Sequence, residues 1–301
     1  MPRFGLFGTG HWAAETHAAA IAAHPRAELA GVWGRDPAKA AALAGRYGVR
    51  AFEDVDALID AVDVVSVALP PDVQADIAVR AATAGRHLLL DKPIALDERA
   101  ADRIVHAAER SGVASVVFFT NRFRPAVAGF VAAAAAAGDW HGARATMFAS
   151  IFQPGSPYGG STWRRERGGL WDVGPHALSI ILPVLGPVVR VAALDGPRGA
   201  VHLLLGHAEG AASTLSLTLD APPAARALDF TFYGENGFEQ VPAAEGTSVE
   251  AFTLALDQLL EEIDAGTRDH RCDVRFGREV VRILAAAETA RAQARTVELP
   301  A

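Results

Sequence analysis

The chain has almost no cysteine and fewer basic than acidic residues. Cys272 is the single cysteine among 301 residues and cannot form an internal disulfide, which predicts a reducing, cytoplasmic location. Lysine and arginine together number 28, against 35 aspartate and glutamate residues. The resulting formal charge of −7 disfavours nucleic acid and anionic membranes as partners.

Long uninterrupted apolar runs are also missing. Prolines and glycines break the two longest uncharged stretches, Ala145–Trp163 and Val173–Val189, so neither predicts a membrane span. No basic segment followed by a long apolar stretch precedes the first predicted strand, and we expect no secretory leader. Half of the residues are hydrophobic, and a length of 301 residues fits two domains with full cores.

Strands alternate with helices over the first 120 residues. Asp36-Pro37 combines an N-cap with a first-turn proline, which is typical of the start of a helix between two strands. Such alternation predicts a doubly wound parallel sheet with right-handed crossovers. The predicted strands are Phe4–Phe7, Glu28–Trp33, Val64–Leu69, His87–Leu90 and Val113–Phe119.

The second half of the chain has a different period. Leu215, Leu217 and Leu219 alternate with polar residues, which predicts an antiparallel sheet with one covered face. Apolar residues at helical spacing after residue 250 predict two closing amphipathic helices. We therefore expect an α/β protein with domains at residues 1–120 and 121–301. Further strands are predicted at Ala145–Phe152, Val188–Leu194 and Ala200–Leu205.

A glycine loop at the end of the first strand predicts a nucleotide site. Gly8 allows a tight turn, Gly10 lets a pyrophosphate approach the backbone, and Ala13 allows close helix–strand packing. The helix that starts near His11 supplies unpaired N–H groups to an anion. The alternative is a tight turn without a ligand, and the loop taken alone favours that alternative.

Polar segments follow two of the later strands. Lys92 comes after the buried run Leu88–Leu90, at the strand end that faces the ligand crevice of a doubly wound sheet. Pro93 keeps Lys92 out of helical geometry. Position alone favours a surface lysine over a functional one. For Asn121 and Arg122, which follow the last strand of this half, a solvated connector and a substrate contact are equally supported.

Asp172 and His176 form a third candidate cluster. If one helix runs through both residues, their spacing of four places them on one face. If the helix starts at Pro175, both lie within one turn of its N-terminus. A carboxylate beside an imidazole suits the transfer of a hydroxyl proton. A capping aspartate with a buried structural histidine is the alternative, and an isolated pair favours it.

Taken together and in order, these segments resemble the glucose–fructose oxidoreductase, inositol dehydrogenase and rhizopine-catabolism family. The resemblance is specific to about residue 180 and implies an N-terminal Rossmann domain, with a doubly wound parallel sheet. It also implies a C-terminal α/β domain with an open, mostly antiparallel sheet. The implied activity is nicotinamide-dependent oxidation or reduction of a sugar-, inositol- or similar small alcohol or ketone. The matching segments are Gly8–Ala13, Leu69–Asp72, Asp91–Pro93, Asn121–Phe123 and Gly168–His176.

The resemblance also assigns roles to residues of this chain. It implies that His176 and Lys92 form the acid–base pair and that Asp172 orients the substrate hydroxyl. The implied cofactor-binding residues are Gly8, Thr9, Gly10, His11, Trp12, Gly34, Arg35, Leu69, Pro70, Asp91 and Lys92. The implied substrate-binding residues are Asn121, Arg122, Trp163, Asp172 and His176.

The chain departs from the family pattern at three positions. Asp91 replaces the usual glutamate, Gln74 stands where many relatives have histidine, and Ser179 stands where aspartate often follows the histidine. The acid–base set is intact, so we predict an enzyme whose substrate is not specified by the sequence. The alternatives are a cofactor-binding sensor or regulator without catalysis, and a nicotinamide-assisted glycoside hydrolase.

Three further expectations concern ligands and assembly. The second strand ends at Gly34 and Arg35 without the carboxylate that binds an NAD ribose, and Asp36 is better used as an N-cap. Arg35 can pair with a 2′-phosphate, so we favour NADP over NAD. No histidine, cysteine or carboxylate set has metal-ligand spacing, and we expect no metal. An uncovered face of the second sheet predicts a homodimer or a higher homo-oligomer.

Overall fold

A computed structural model describes residues 1–300 and divides them into two compact units. The first unit comprises residues 1–123 and 246–281, and the second comprises residue 124 to residue 245 and the described residues from 282 onward. The predicted boundary at residue 120 lies three residues before the passage from one unit to the other. Residues 246–281 were expected in the second domain, whereas they group with the first unit.

The first unit is built on a parallel sheet. Within residues 1–300 this sheet has six strands in the order β3-β2-β1-β4-β5-β6, which confirms the predicted doubly wound fold. The run Val64–Leu69 was predicted as one strand, but pairing stops at Val67 before Pro70 and Pro71 turn the chain. The strands are β1 Arg3–Phe7, β2 Glu28–Trp33, β3 Arg50–Phe52, β4 Val64–Val67, β5 His87–Asp91 and β6 Ser115–Phe118.

Helices connect these strands and begin where the aspartates predict. Asp36, Asp54 and Asp97 each accept a backbone N–H of the first helical turn through the side chain. A π-helical turn, Ala13–Ala18, leads from the glycine loop into α1, Ala19–Ala23. The other helices before residue 120 are α2 Pro37–Tyr47, α3 Val55–Asp60, α4 Pro71–Thr83 and α5 Glu98–Ser111.

A helix from late in the chain completes the first unit. This helix, here called α9, spans Ser248–Ala265 and packs beside α1 against β5 and β6. The buried Phe252 ring lies 4.9 Å from Phe118 and 4.2 Å from His17, measured between ring centroids. Burial of these aromatic rings against the parallel sheet explains why residues 246–281 join the first unit.

The second unit contains a mixed sheet. Its order within residues 1–300 is β12-β11-β7-β10-β9-β8-β13, with β7 and β10 parallel and the other neighbours antiparallel. This arrangement confirms the predicted open, mostly antiparallel sheet. The strands are β7 Trp140–Phe148, β8 Val188–Asp195, β9 Val201–His207, β10 Ala212–Thr218, β11 Ala227–Gly234, β12 Gly237–Gln240 and β13 Val297–Glu298.

The prediction of a strand at Ala145–Phe152 was wrong at both ends. Strand β7 begins at Trp140, and its N-terminal half carries His141, Gly142 and Arg144, which obscure the apolar alternation. Gly142 is required there, because a Cβ would lie 2.1 Å from the carbonyl oxygen of Ala212 on the neighbouring strand. Regular pairing ends at Phe148, before the polar Ser150 and the Pro154-Gly155 turn.

The remaining helices belong wholly or partly to the second unit. Their bounds are α6 Pro125–Ala137, α7 Thr162–Asp172, α8 Gly174–Leu185 and α10 Val274–Gln293, the last of which runs from the first unit into the second. The combined run Thr162–Leu185 is long and apolar enough to cross a membrane, yet 78% of its apolar window is buried, as in a core helix.

Candidate active site

The predicted cofactor-binding residues lie along one edge of the parallel sheet. The loops that carry them follow β2, β1, β4 and β5, which are four adjacent strands. Parallel strands end at the same edge, so these loops form a continuous row. The strand order thereby brings together residues separated by more than 80 positions in the sequence, from Gly8 to Lys92.

The glycine loop has the geometry that a dinucleotide needs. Gly8 has a φ of 138°, and a Cβ there would lie 2.5 Å from the carbonyl oxygen of Ala68, so only glycine fits. A Cβ at Gly10 would meet no atom within 4 Å, which leaves the backbone open to a pyrophosphate. The first turn of the following helix supplies N–H groups without intrahelical partners. The residues present therefore fit a nicotinamide dinucleotide.

The end of β2 presents an arginine instead of a carboxylate. Gly34 is buried against Thr9 of the glycine loop, where a Cβ would lie 2.5 Å from Thr9 Cγ2. Arg35 is exposed, and its guanidinium makes no ion pair or hydrogen bond within residues 1–300. The Asp36 carboxylate caps α2 by accepting the N–H groups of Ala38 and Lys39. The first charged group after this strand is therefore positive.

The remaining residues of the row are half-buried except for His11. Leu69 and Pro70 lie between β4 and the start of α4, and Lys92 directly follows β5. The Lys92 backbone N–H donates to Asp91 Oδ1 at 2.9 Å, so the shorter carboxylate of this chain still binds its neighbour. His11 is exposed, and the Trp12 ring is stacked with that of Phe118 at 6.2 Å.

Asn121 and Arg122 lie in a short 3₁₀ turn, Thr120–Phe123, at the end of β6. Asn121 is half-buried, whereas the Arg122 side chain is buried next to the Cys272 thiol. Burial lowers the pKa of Arg122 and raises the pKa of the Cys272 thiol. The surroundings thus give Arg122 a packing role, and its contact with substrate stays a prediction.

Asp172 and His176 lie on consecutive helices of the second unit. Helix α7 ends at Asp172 and α8 begins at Gly174, so no single helix runs through both residues. The alternative arrangement describes the segment to within one residue, since both residues lie within one turn of the N-terminus of α8. Asp172 is 7% exposed, and its Oδ2 lies 3.1 Å from Nε of Arg164. His176 is half-buried near the start of α8, and Ser179 Oγ donates to its carbonyl oxygen at 2.8 Å.

Two glycines set the position of this segment. Gly168 has a φ of 64° and breaks the helical conformation inside α7. A Cβ at Gly169 would lie 2.8 Å from the Cα of Thr218, so glycine lets α7 approach β10 closely. The paired glycines therefore carry the chain over the sheet and place Asp172 in the protein interior.

Sequence reasoning missed Arg164. Its guanidinium lies 4.9 Å from the ring centroid of Tyr158 and 4.7 Å from that of Trp163, in addition to its ion pair with Asp172. Trp163, which was predicted to bind substrate, therefore also packs against the guanidinium of Arg164. Arg164 precedes Asp172 by eight residues, which is about 12 Å along an ideal helix, so the sequence predicted no contact between them. The break at Gly168 that allows the contact has no local sequence signature.

The site residues are thus distributed over both units. Lys92 and the other predicted cofactor-binding residues belong to the first unit, as do Asn121 and Arg122. Trp163, Asp172 and His176 belong to the second. Their catalytic and substrate-binding roles stay predictions. Among residues 1–300, no group of three or more His, Cys, Asp or Glu side chains is arranged to hold a metal ion.

Comparison with known proteins places the first unit in a defined family. Residues 2–119 match the family model described as "Oxidoreductase family, NAD-binding Rossmann fold" of the glucose–fructose oxidoreductase, inositol dehydrogenase and rhizopine-catabolism group. UDP-N-acetylglucosamine 3-dehydrogenase of Acidithiobacillus ferrooxidans is 36% identical over 125 residues, which cover 42% of this chain. The matched part of the chain spans only 39% of the length of that relative.

Other similarities extend over more of the chain. The dTDP-3,4-didehydro-2,6-dideoxy-alpha-D-glucose 3-reductase of Streptomyces antibioticus is 28% identical over 246 residues, covering 78% of this chain and 74% of the relative. The crystal structure of GenD2 from gentamicin A biosynthesis, in complex with NAD, has a TM-score of 0.87 at 23% identity. It covers 100% of this chain and 97% of that one, which shows a common fold.

Proposed function

Because residues 2–119 match this oxidoreductase family, we propose that the chain is an NAD(P)-dependent dehydrogenase or reductase acting on CH–OH groups. The substrate class is a sugar, an inositol or a similar small alcohol or ketone. The observation that carries the proposal is the row of loops at one edge of the parallel sheet, which runs from Arg35 after β2 through the open glycine loop to Lys92 after β5. A bound nicotinamide supplies the redox chemistry by exchanging a hydride with the substrate carbon.

The residues of this chain handle the substrate proton and charge. In oxidation His176 takes the hydroxyl proton, while the Lys92 ammonium stabilises the negative charge that develops on the oxygen. Asp172 orients the substrate hydroxyl, and its ion pair with Arg164 supports an ionised carboxylate. Asn121, Trp163 and Arg122 complete the proposed substrate-binding set.

NADP is the cofactor that we propose. Exposed Arg35 stands where NAD-binding relatives of this fold class usually carry an acid, and a guanidinium pairs with a 2′-phosphate. Asp36 is occupied as the cap of α2, so it does not offer its carboxylate to a ribose. Titration of the protein with both cofactors tests this choice, since tighter binding of NAD than of NADP would overturn it.

A turnover screen tests the proposed activity. The purified chain is incubated with NAD or NADP and a panel of free sugars, inositols and nucleotide-linked sugars, and with reduced cofactor and ketones. We expect a net absorbance change at the reduced-nicotinamide band with at least one member. Product formation without net absorbance change would indicate a nicotinamide-assisted hydrolase. Cofactor binding without any turnover would indicate a sensor or regulator.

We also propose a homodimer through the open face of the second sheet. Leu204 and Leu194 lie on adjacent strands of this face and are 54% and 71% exposed. A two-fold axis would cover the face with a second copy of itself. Light scattering at micromolar concentration should give the mass of a dimer, and a monomeric mass would contradict the proposal. A cytoplasmic location, in line with the single buried cysteine, is part of the same proposal.

A further inference from the structure

The segment around Lys92 is held by one buried side chain of α4. Gln74 is 1% exposed and makes three hydrogen bonds to the backbone on either side of Lys92. Its Nε2 donates to the carbonyl oxygens of Asp91 at 2.7 Å and Pro93 at 3.0 Å. Its Oε1 accepts the Asp91 N–H at 3.0 Å.

We propose that Gln74 is a positioning residue for Lys92, which fixes the main chain from which the lysine side chain extends. The inference rests on the proposed function, because Lys92 is the group that stabilises the developing negative charge there. The backbone groups bound by Gln74 lie one residue before and one residue after Lys92. The position of the Lys92 Cα is thereby set from α4, and the ammonium group moves only by rotation about its own side-chain bonds.

A second buried residue supports the same segment. The fully buried His17, in the π-helical turn after the glycine loop, has its Nε2 at 3.8 Å from Asp91 Oδ2. Its Nδ1 lies 2.9 Å from Ser66 Oγ on β4. The other carboxylate oxygen of Asp91 accepts the Lys92 N–H. The segment is therefore held through its backbone from α4, and the Asp91 side chain lies beside the turn that follows the glycine loop.

Only an amide side chain can satisfy all three backbone groups that Gln74 binds. Two carbonyl oxygens require donors and one N–H requires an acceptor, and the glutamine amide supplies two N–H groups and one oxygen. Leucine at position 74 would leave all three backbone groups unpaired. Glutamate would keep the acceptor but lose both donors, and histidine would supply one donor and one acceptor.

The scarcity of lysine provides a direct test. Lys92 and Lys39 are the only lysines in the chain, and Lys39 is an exposed residue of α2. Limiting acetic anhydride acylates unprotonated amines, and peptide mass spectrometry then gives the ratio of Lys92 to Lys39 labelling in each molecule. Lys39 serves as the internal reference. The variants are Q74L, Q74E and Q74H, with S115A as the control.

Ser115 is a matched control because it is buried in the same unit and accepts the backbone N–H of Val274 at 3.2 Å. We expect Q74L and Q74E to raise the ratio of Lys92 to Lys39 labelling by about threefold or more. The reason is that the backbone on either side of Lys92 loses its hydrogen bonds to residue 74. Q74H should return the ratio toward that of the wild type, and S115A should leave it unchanged. If Q74L does not fold, Q74E carries the test.

The pattern of results separates the possible outcomes. A loss of thermal stability in the Gln74 variants with an unchanged labelling ratio would show that Gln74 only supports the fold, and would overturn the inference. For an identified substrate, we also expect kcat to fall on the order of tenfold to a hundredfold at unchanged cofactor Kd. If the wild type shows no turnover while the ratio still rises, the proposed function fails and the positioning of Lys92 stands.

Discussion

The two acid–base segments are held in different ways in the two units. The Lys92 segment is fixed through its backbone, by the strand β5 before it and by the amide of Gln74. Asp172 is fixed through its side chain, by the guanidinium of Arg164. A segment that is fixed through its backbone tolerates changes among exposed neighbours, whereas the position of Asp172 depends on a charged side chain, that of Arg164. The two segments should therefore respond differently to substitution.

Removal of the acid–base groups themselves tests both segments most severely. We expect K92A and H176A each to lower turnover on the order of a hundred- to ten-thousand-fold, the usual contribution of a general acid or base. His176 lies in a different unit from the glycine loop, so H176A should leave the cofactor Kd unchanged. Steady-state turnover and a fluorescence titration of reduced cofactor provide the two measurements.

The control for this prediction is H141A. His141 is an exposed histidine of the same unit, with a side chain 60% exposed, and its loss should leave turnover unchanged. Nearly full turnover in H176A would identify His176 as a packing residue and would contradict its catalytic assignment.

Substitution of Arg164 tests whether its ion pair positions the Asp172 side chain. In R164M the Asp172 carboxylate stays buried but loses its ion pair with Arg164. We therefore expect kcat/KM to fall on the order of tenfold to a hundredfold. R165M is the matched control, because Arg165 is exposed on the same turn of α7 and lies over Phe152. Equal activities of the two variants would show that Arg164 has no special role at Asp172.

The same contrast explains how far the sequence predicted the site. Apolar runs and capping aspartates such as Asp36 indicated strands and helices in alternation, hence a doubly wound parallel sheet. In that sheet Gly8, Arg35 and Lys92 lie along one edge, because all three follow the carboxyl ends of parallel strands. These positions depend on backbone topology, which follows from periodicity. The Arg164–Asp172 pair depends on a helix break at Gly168, and no local pattern specifies the direction of the chain after such a break.

Long-range packing was the other feature that the sequence did not predict. The stripe of apolar residues in α9 indicated an amphipathic helix, but it carried no information on which sheet the helix covers. The contact of Phe252 with His17 and Phe118 joins residues more than 130 positions apart. Arg122 is a similar case, because the cysteine that it contacts lies 150 residues later in the chain.

Acid should expose a further difference between the units. In the first unit, burial together with Arg271 and Arg122 lowers the pKa of His270 to about 4, from an ordinary value of 6.5. Between these values the unfolded chain binds a proton that the folded chain does not, so stability falls as pH falls below 6.5. Between pH 8 and pH 5 this histidine alone should cost roughly 2 kcal/mol of the free energy of unfolding.

Urea unfolding of wild type and H270Q at the two pH values measures this effect. The difference between pH 8 and pH 5 should be smaller in H270Q, because the unfolded chain then lacks one of the protons that it gains. H106Q, which removes an exposed histidine of the same unit, should behave as the wild type. An undiminished acid sensitivity of H270Q would assign the effect to other groups, such as His87, whose pKa burial also lowers.

Substitution of Arg35 has the smallest expected effect. It tests cofactor binding at the loop after β2, which is the end of the row opposite Lys92. A charge-assisted hydrogen bond to a 2′-phosphate contributes about 1.5 to 3 kcal/mol, so R35A should weaken NADPH binding by at least about tenfold. NADH lacks this phosphate, and its Kd should stay unchanged. K39A removes a positive charge from the first turn of α2, and it serves as the control for a general electrostatic effect. If R35A weakens the binding of NADPH and NADH equally, Arg35 contributes only a general electrostatic attraction and makes no specific contact with the 2′-phosphate. If the affinity for NADPH does not change at all, the end of β2 does not select the cofactor, and selection must lie in another loop of the row.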